Sequence, residues 1–549
     1  MASVAEPHGS LARGAAVITI ATAVSRITGF VRVVVVAAAM GTTFLANTYQ
    51  TANTAPNVVF ELVAAGVLTS VFVPTFVDYL VKGAREEGWR AANALTTVAL
   101  VALVAIAGAV ALLAEPLMRL LTLGVDDPSL RAQEIALGAA FLRLFTPQIV
   151  LYGAGMIMTG ALHANRKFAM AAVAPIFNNL VVIGVYVAYA MMRGDRPPTV
   201  QGITSAETLM LGLGTTLGVV VMTLCLIPQL VNLGWHFKFR WEPRHPAVRK
   251  AGRLGIWTLG YAGGYQAGLI VVLILANGVE GGVAAYQWAY TFFYMPHALF
   301  AVAIFNVLFP AMSEHVARGE HEGLLERLRD GLRMLAFILL PTAALMLAGA
   351  QPIAKLTLEY GVMTEAGASL VARVLAAFVL GLPTYSAFLV ATRAYFALGD
   401  TKTPTLVNAG AVIISSVLGA GLFFAADDAW AVPALALAHS VAFAFGAIAL
   451  LMLLTRRVGR VGTSELEHSL LRSIVVSLLA LAAMAAIAYA LPDTNKVEAL
   501  VSLGSITAAG GALYIGVMAK LRAPELRRFA SLLGREAGST GSQNKRASR

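Results

Sequence analysis

Long apolar runs separated by short polar segments dominate the pattern of this 549-residue chain. A helix of about 20 apolar residues crosses a hydrocarbon core about 30 Å thick, and many of the runs reach that length. Because lipid offers no hydrogen-bond partner to bare backbone amides, a segment that crosses it must be a helix or part of a closed barrel. The runs are too long and too continuous for barrel strands. The pattern therefore predicts an all-α polytopic membrane protein.

The runs divide into fourteen predicted transmembrane helices. Their spans are 15–40, 44–80, 91–114, 132–162, 168–192, 206–233, 254–277, 283–314, 331–349, 366–397, 404–425, 429–455, 467–491 and 497–519. The second, fourth, eighth and tenth spans are longer than a bilayer needs, so we expect them to tilt, bend or project from it. The first run contains Arg26 and Arg32 and lacks a small-residue cleavage site, which favours a retained helix over a signal peptide.

Lys and Arg residues are concentrated in alternate loops, and this bias predicts the orientation. The richest loop is the basic segment 234–253, whereas the opposite set of loops holds only Arg119, Arg193, Arg196, Lys355 and Lys496. The basic set is predicted to be cytoplasmic, and the even number of spans then places both termini in the cytoplasm. Residues 1–14 form a cytoplasmic leader, and the basic tail 520–549 is predicted to be disordered.

The composition excludes several classes of protein. Charged residues make up 13% of the chain, against about 25% in soluble domains. The net charge of +11 lies in short loops and in the tail, which argues against a nucleic-acid partner. The single cysteine, Cys225, excludes an internal disulfide, and the nine histidines show no metal-ligand spacing. No nucleotide-binding or hydrolase motif is found, so we predict no catalytic residues, no metal and no cofactor.

Four pairs of sites match at one fixed offset of 236 residues. AEPLMRL at 114–120 matches AQPIAKL at 350–356, and Pro147 matches Pro383. The segments FVPTFVDYLVKG at 72–83 and ALHANRKFA at 161–169 match LFPAMSEHVARG at 308–319 and ALGDTKTPT at 397–405. Six predicted helices separate the members of each pair, so both copies share one orientation. This is a parallel repeat of the kind that builds transporters.

The repeat predicts two pseudo-symmetric six-helix lobes around a central cavity. The first lobe is 15–233 and the second is 254–455, joined by the cytoplasmic linker 234–253. The last two helices, within 467–519, lie outside the repeat. Transporters of this design rock one lobe against the other around a site near the bilayer midplane.

Charged residues inside the first span are candidates for that site. A charged side chain near the bilayer centre costs about 2.5–3.5 kcal/mol on insertion scales, so it usually faces a cavity or a partner. Ser25, Arg26 and Arg32 lie in the segment SRITGFVR. A guanidinium binds two phosphate oxygens at once, which an ammonium does poorly. The competing interpretation is that these arginines reach a lipid head group or pair with Glu61.

Other intramembrane polar residues are weaker candidates for the cavity or for coupling. Glu61 is the one carboxylate that we identify well inside a predicted span, as the partner of an arginine or as a titrating group. Asn53 and Asn57 lie on the same helix, where asparagine usually joins helices together. Arg143 and Arg393 lie in the fourth and tenth spans, which are equivalent in the repeat, and are candidates for lining the same cleft.

Several of these segments resemble the MurJ (MviN) family of the multidrug/oligosaccharidyl-lipid/polysaccharide exporter superfamily. They are SRITGFVR at 25–32, the Pro56-Asn57 pair, AAGVLTSVFVP at 64–74 and ALHANRKFA at 161–169, in the family's order. The resemblance implies a flippase for lipid II, the undecaprenyl-diphosphate-linked precursor of peptidoglycan, in the bacterial inner membrane. It also implies that Ser25, Arg26 and Arg32 line a cationic cavity.

The chain departs from the family pattern at four places. Phe60 and Glu61 stand where relatives often have arginines, Asn47 where they often have an acid, and Thr291 where they often have an arginine. The sodium site reported for the family is not expected either, because the seventh, eleventh and twelfth spans contain no Asp or Glu. The energy source is left open between the membrane potential and an unidentified coupling cation.

The expected mechanism is alternating access, with lipid II and the membrane as partners and other cell-wall synthesis proteins as an open possibility. The nearest alternative is an exporter of another polyprenyl-linked oligosaccharide or a cation-coupled drug exporter of the same superfamily. An alternative of another class is a non-transporting scaffold for cell-wall synthesis, or a membrane glycosyltransferase. The lack of Asp, Glu and His clusters in the loops argues against the enzyme.

Overall fold

A computed structural model describes residues 8–67, 85–165, 167–235 and 237–528. Helices account for the regular structure of these residues, and none of them lies in a β-strand. A π-helical turn, His297–Ala301, joins α11 to α12. The α-helices are α1 His8–Met40, α2 Phe44–Val67, α3 Arg85–Leu112, α4 Ala114–Leu121, α5 Pro128–Phe145, α6 Pro147–Ala164, α7 Ala169–Arg193, α8 Ser205–Leu224, α9 Ile227–Asn232, α10 Pro246–Ala276, α11 Gly282–Pro296, α12 Val302–Ala317, α13 His321–Ala348, α14 Ala350–Leu358, α15 Glu365–Val379, α16 Leu382–Ala397, α17 Lys402–Ala425, α18 Asp428–Val458, α19 Ser464–Ala490 and α20 Lys496–Lys520.

The all-α polytopic fold is confirmed. Within the described ranges, eleven helical segments are long and apolar enough to cross a membrane, or twelve if α15 and α16, bent by 47°, form one span. The fourth, eighth and tenth predicted spans are each interrupted, by Pro147, by the π-helical turn and by that bend. A proline removes a backbone donor and clashes with the preceding turn, which explains the first break. The count of fourteen stays a prediction.

The helix boundaries repeat with the offset found in the sequence. α3 begins at Arg85 and ends at Leu112, and α13 begins and ends 236 residues later. The short helices α4 and α14 begin at Ala114 and Ala350, again 236 residues apart. Of the matched segments, 72–83 lies outside the described residues. The duplication is thus visible in the backbone, whereas the two lobes and their central cavity stay a prediction.

The described residues fall into two compact units. The first runs as far as Ala285 and includes Leu358–Gly367, and the second contains the remainder. Helix α10 belongs to the first unit and begins at Pro246, inside the segment predicted to be a linker. The compact units therefore divide the chain at a different place from the predicted lobes, whose boundaries rest on the repeat alone.

The last two predicted helices pack within the second unit. The hydroxyl of Tyr514 on α20 donates a hydrogen bond to the carbonyl oxygen of Phe337 on α13, at 2.8 Å. The chain after α20 is ordered as far as residue 528, because the carboxylate of Glu525 accepts hydrogen bonds from Arg472 and Ser469 on α19. Disorder from residue 520 onward is therefore a wrong prediction for this stretch. The predicted tail beyond 528 and the leader before residue 8 lie outside the described residues.

Candidate functional site

Helix α1 is fixed against α7 by one asparagine. The side-chain amide of Asn179 donates hydrogen bonds to the carbonyl oxygen of Ser25, at 3.3 Å, and to the hydroxyl of Thr28, at 3.1 Å. Gly29 lies beside the same amide, and a Cβ built on it would be 3.5 Å from the amide nitrogen. These contacts decide which face of α1 turns toward the interior of the first unit.

Arg32 lies on that inner face. It follows Ser25 by seven residues, and at about 100° per residue the two positions are within about 20° of each other. Its side chain is half-buried. No ion pair of Arg32 is found within the described part of the chain.

Tyr49 is the centre of an aromatic cluster in the first unit. Its ring meets Phe141 and Phe145 edge to face at 5.3 Å and Tyr186 at 5.7 Å. Its hydroxyl lies 2.6 Å from that of Thr215 on α8. Edge-to-face packing of this kind is favourable and directional, so α2, α5, α7 and α8 hold Tyr49 in place. Sequence analysis did not identify this residue.

Arg26 points to a different face of α1 from Arg32. The two positions are about 120° apart around the helix, and the side chain of Arg26 is exposed. Beside it runs a stripe of exposed apolar side chains, in which Ile20 is 64% and Ile27 63% exposed. The structure therefore does not bring the two arginines together; it separates a half-buried one from an exposed one.

The polar candidates on α2 differ in their surroundings. The side-chain amide of Asn57 donates to the carbonyl oxygen of Asn53 at 2.8 Å, one residue after Pro56 interrupts the backbone ladder. The side-chain oxygen of Asn53 is buried and accepts no hydrogen bond from the described residues. Glu61 is exposed. Asn57 is therefore used within its own helix, whereas the Asn53 oxygen has no partner in the described part of the chain.

Glu134 on α5 was missed by the sequence analysis, which identified Glu61 alone as a carboxylate well inside a span. Glu134 is 0% exposed, and its side chain accepts one hydrogen bond from the described residues, from the hydroxyl of Thr48 on α2 at 3.1 Å. It was overlooked because it falls only two residues after the start of the predicted fourth span. α5 begins at Pro128, six residues before Glu134, so Glu134 lies well inside the helix.

Arg143 and Arg393 are both exposed and have separate surroundings. Arg143 lines a groove of about 900 Å³ between α5 and the start of α8, together with residues such as Gln133, Ala140 and Thr208. Arg393, in the second unit, lies over the rings of Phe309 and Phe396, at 5.9 Å from each. These cation–π contacts give Arg393 a local partner. A shared cavity for the two arginines stays a prediction.

Three chain segments meet at the end of α1 in the first unit. The amide of Val362 donates to the carbonyl oxygen of Ala38 at 2.9 Å. A Cβ built on Gly361 would lie 2.2 Å from the same oxygen, and Gly361 has a φ of +60°. Only glycine meets both requirements without strain. Residues 358–367 therefore pack closely on the turn between α1 and α2.

The segment 277–284 packs on the start of α2 through Asn47. The amide of that side chain donates to the carbonyl oxygen of Val279 at 2.8 Å, and its oxygen accepts from the backbone amide of Val283 at 3.0 Å. One turn further along α2, Thr51 shares hydrogen bonds with Asn277. We call the residues 38–51, 277–284 and 358–367 the closed end of the first unit. No group of three His, Cys, Asp or Glu side chains suited to a metal ion is found in the described ranges.

Comparison with known proteins identifies one family. The family model described as "Lipid II flippase MurJ" matches residues 36–502. A protein of Rhizobium tropici named "Probable lipid II flippase MurJ" is 29% identical over 492 residues, which cover 88% of this chain and 87% of that protein. A protein of the same name from Borreliella burgdorferi is 24% identical over 465 residues, covering 83% and 86%.

Solved structures share the fold. One titled "Lipid II flippase MurJ, inward closed conformation" has a TM-score of 0.74 at 20% identity, covering 92% of this chain and 99% of the other. A multidrug resistance MATE family transporter of the MOP superfamily, in an inward-facing conformation, has a TM-score of 0.63 at 12% identity and covers 81% of this chain and 96% of its own. At these identities the likeness concerns the fold alone.

Proposed function

Because this chain belongs to the lipid II flippase MurJ family, we propose that it moves lipid II from the cytoplasmic to the outer leaflet of the inner membrane. The proposal assigns it transport and no bond-breaking chemistry. It also includes the predicted orientation, with both termini in the cytoplasm. Drug export and a pure scaffold are not favoured, because the curated relatives bear the flippase name along most of their length.

The observation that carries the proposal is the exposed face of α1. Lipid II combines an anionic diphosphate with a long apolar tail, so its binding surface needs a cation beside apolar side chains. Arg26 is exposed next to the stripe that contains Ile20, Val24, Ile27 and Val31, all at least 40% exposed. A guanidinium in low-dielectric surroundings binds a phosphate through two parallel hydrogen bonds. We assign Arg26 to the diphosphate and the stripe to the first part of the tail.

Arg32 takes a supporting role in this proposal. It is half-buried, and so it is less accessible to a head group than the exposed Arg26. A positive charge one and a half turns along the same helix still raises the local potential for an anion. Ser25 offers its hydroxyl on the same inner face, since its carbonyl oxygen is already bound by Asn179.

Alternating access requires that the closed end of the first unit opens and closes. The close glycine contacts and the Asn47 hydrogen bonds make this end a discrete packed arrangement. Packed interfaces of this kind switch between two states and do not deform continuously. Under the predicted orientation the closed end faces outward.

The membrane potential is sufficient to drive the cycle. Moving negative charge toward an outside-positive compartment is favoured by about 2.3 kcal/mol per charge per 100 mV. The diphosphate of lipid II carries roughly two such charges, so about 4–5 kcal/mol per 100 mV is available. We propose potential-driven export, with no resident cofactor.

Complementation tests the function directly. The chain is expressed in bacteria depleted of their own lipid II flippase, and a lipid II hydrolase that cannot cross the membrane is added outside. We expect growth to recover and the hydrolase to reach lipid II. A strain that makes the chain at normal level in the membrane, while its lipid II stays protected from the hydrolase, would disprove the assignment. Recovery of drug resistance without exposure of lipid II would favour the exporter alternative.

A further inference from the structure

Glu134 is an uncompensated acid at the closed end of the first unit. It is completely buried, one oxygen accepts from Thr48 at 3.1 Å, and the other oxygen has no hydrogen-bond partner among the described residues. A buried carboxylate is normally paired with a cation or with several donors. An ionisable side chain placed in this way inside a membrane helix is a functional candidate by default.

The charged neighbours of Glu134 are engaged elsewhere. On α4, Glu115 pairs with Arg119 at 2.5 Å, and Arg131 on α5 itself donates to the carbonyl oxygen of Arg119. On α8, Glu207 pairs with Arg196 at 2.5 Å. Among the described residues, the Thr48 hydroxyl is the hydrogen-bond partner of the Glu134 carboxyl, and no ion pair to that carboxyl is found. The remaining described titratable groups on α5 and on the helices packed around it are the following: Tyr49 and Glu61 on α2, Arg143 at the end of α5, Tyr152 and His163 on α6, and Glu86, Glu87 and Arg90 at the start of α3.

Binding of one proton would neutralise the buried Glu134 carboxylate. A protonated carboxyl still accepts from Thr48 with one oxygen, and it loses the charge that the site does not balance. Within the described ranges Glu134 belongs to no group of three His, Cys, Asp or Glu side chains, which disfavours a metal cation, since such ions take several oxygen ligands.

We infer that Glu134 is a proton-binding site that stabilises the closed end of the first unit. Thr48, its partner, lies between Asn47 and Thr51, the two residues through which α2 holds the segment 277–284. Ionisation of Glu134 calls for water around the carboxylate, and water can enter only if this packing loosens. Closing therefore takes up a proton, and raising the pH on that side favours opening. The inference rests on the proposed function only in treating the closed end as one state of a transport cycle.

A cysteine reporter tests the inference without any transport measurement. Ala285 is 0% exposed at the edge of the segment 277–284, so a membrane-impermeant maleimide reaches an Ala285→Cys side chain only when the closed end opens. The native cysteine is removed by Cys225→Ser. Labelling rates are measured from pH 6 to pH 9 with Glu134 intact and with Glu134→Gln, which keeps the shape and cannot ionise. The ratio of the two rates cancels the pH dependence of the thiol.

We expect this ratio to rise about tenfold per pH unit once Glu134 ionises, and the Glu134→Gln protein to show only the thiol's own dependence. Glu134→Asp should retain the rise, and Glu115→Gln, which removes an exposed acid, should behave as the parent. A ratio that stays constant across the range, or a rise that follows sodium concentration at fixed pH, would overturn the inference. Because labelling does not depend on lipid II, either result leaves the proposed function to be judged by complementation.

Discussion

Replacement of Asn47 by alanine should open the closed end without unfolding the protein. The side chain makes two good hydrogen bonds to the segment 277–284, at 2.8 Å to the carbonyl oxygen of Val279 and at 3.0 Å from the amide of Val283. Each buried hydrogen bond contributes about 0.5–1.5 kcal/mol net, so the packed state loses about 1–3 kcal/mol. When the end opens, water satisfies the same backbone groups, and the loss therefore applies to the closed state alone.

The expected shift can be read from the same labelling assay. A free-energy change of about 1–3 kcal/mol raises the opening constant about 5- to 150-fold, since about 1.4 kcal/mol is a factor of ten. The labelling rate of Ala285→Cys should rise by that factor in Asn47→Ala. Asn165→Ala is the matched control, because the amide of Asn165 donates to the carbonyl oxygen of Ala161 at its own helix end, at 2.9 Å. Equal rates for the two variants would refute the role given to Asn47.

Three further predictions concern other contacts. The double variant Thr42→Cys, Gly367→Cys should form a disulfide that blocks transport until it is reduced. A Cβ built on Gly367 lies 3.2 Å from that of Thr42, close to the range of about 3.5–4.5 Å for disulfides. Free thiols after oxidation would contradict this prediction. Tyr49→Phe should lower the free energy of unfolding by about 1 kcal/mol through loss of the Thr215 hydrogen bond, as measured by thermal unfolding in detergent. Unchanged stability would show that the Tyr49 hydroxyl does not contribute. Burial opposes ionisation of Asp400, but hydrogen bonds from Thr403 and Arg457 outweigh it and lower the pKa of Asp400. The contribution of Asp400 to the free energy of unfolding should therefore be present at neutral pH and be lost as pH falls through the lowered pKa. Asp400→Asn should remove this acid dependence of unfolding.

The sequence predicted the helices well because each apolar run is decided locally. Lipid forces every backbone amide of such a run into its own helix, and the match between α3 and α13 shows that the 236-residue repeat was read in the correct register. The span 132–162 was predicted only to tilt, bend or project, and the position of its break at Pro147 was not predicted. Which of these helices pack together depends on long-range contacts that no local pattern contains.

The candidate site was predicted only in part, for a related reason. The segment SRITGFVR indicated Arg26 and Arg32, but the rotation of α1 is set by Asn179, which lies 154 residues from Ser25. Without that contact the exposed arginine cannot be told from the half-buried one. Tyr49 was missed because its significance comes from Thr215 on another helix. Glu134 was missed because the fourth span was predicted to begin only two residues before it, whereas the helix begins at Pro128.

The most direct test of the central claim is the exposure of lipid II in cells that depend on Arg26 variants of this chain. At matched protein level, the externally added hydrolase should reach lipid II with the parent chain, reach less of it with Arg26→Lys, and reach almost none with Arg26→Ala. We expect this order because a guanidinium donates two parallel hydrogen bonds to a phosphate, whereas an ammonium supplies the same charge without that paired geometry. Parent-level exposure of lipid II in Arg26→Ala would contradict the account.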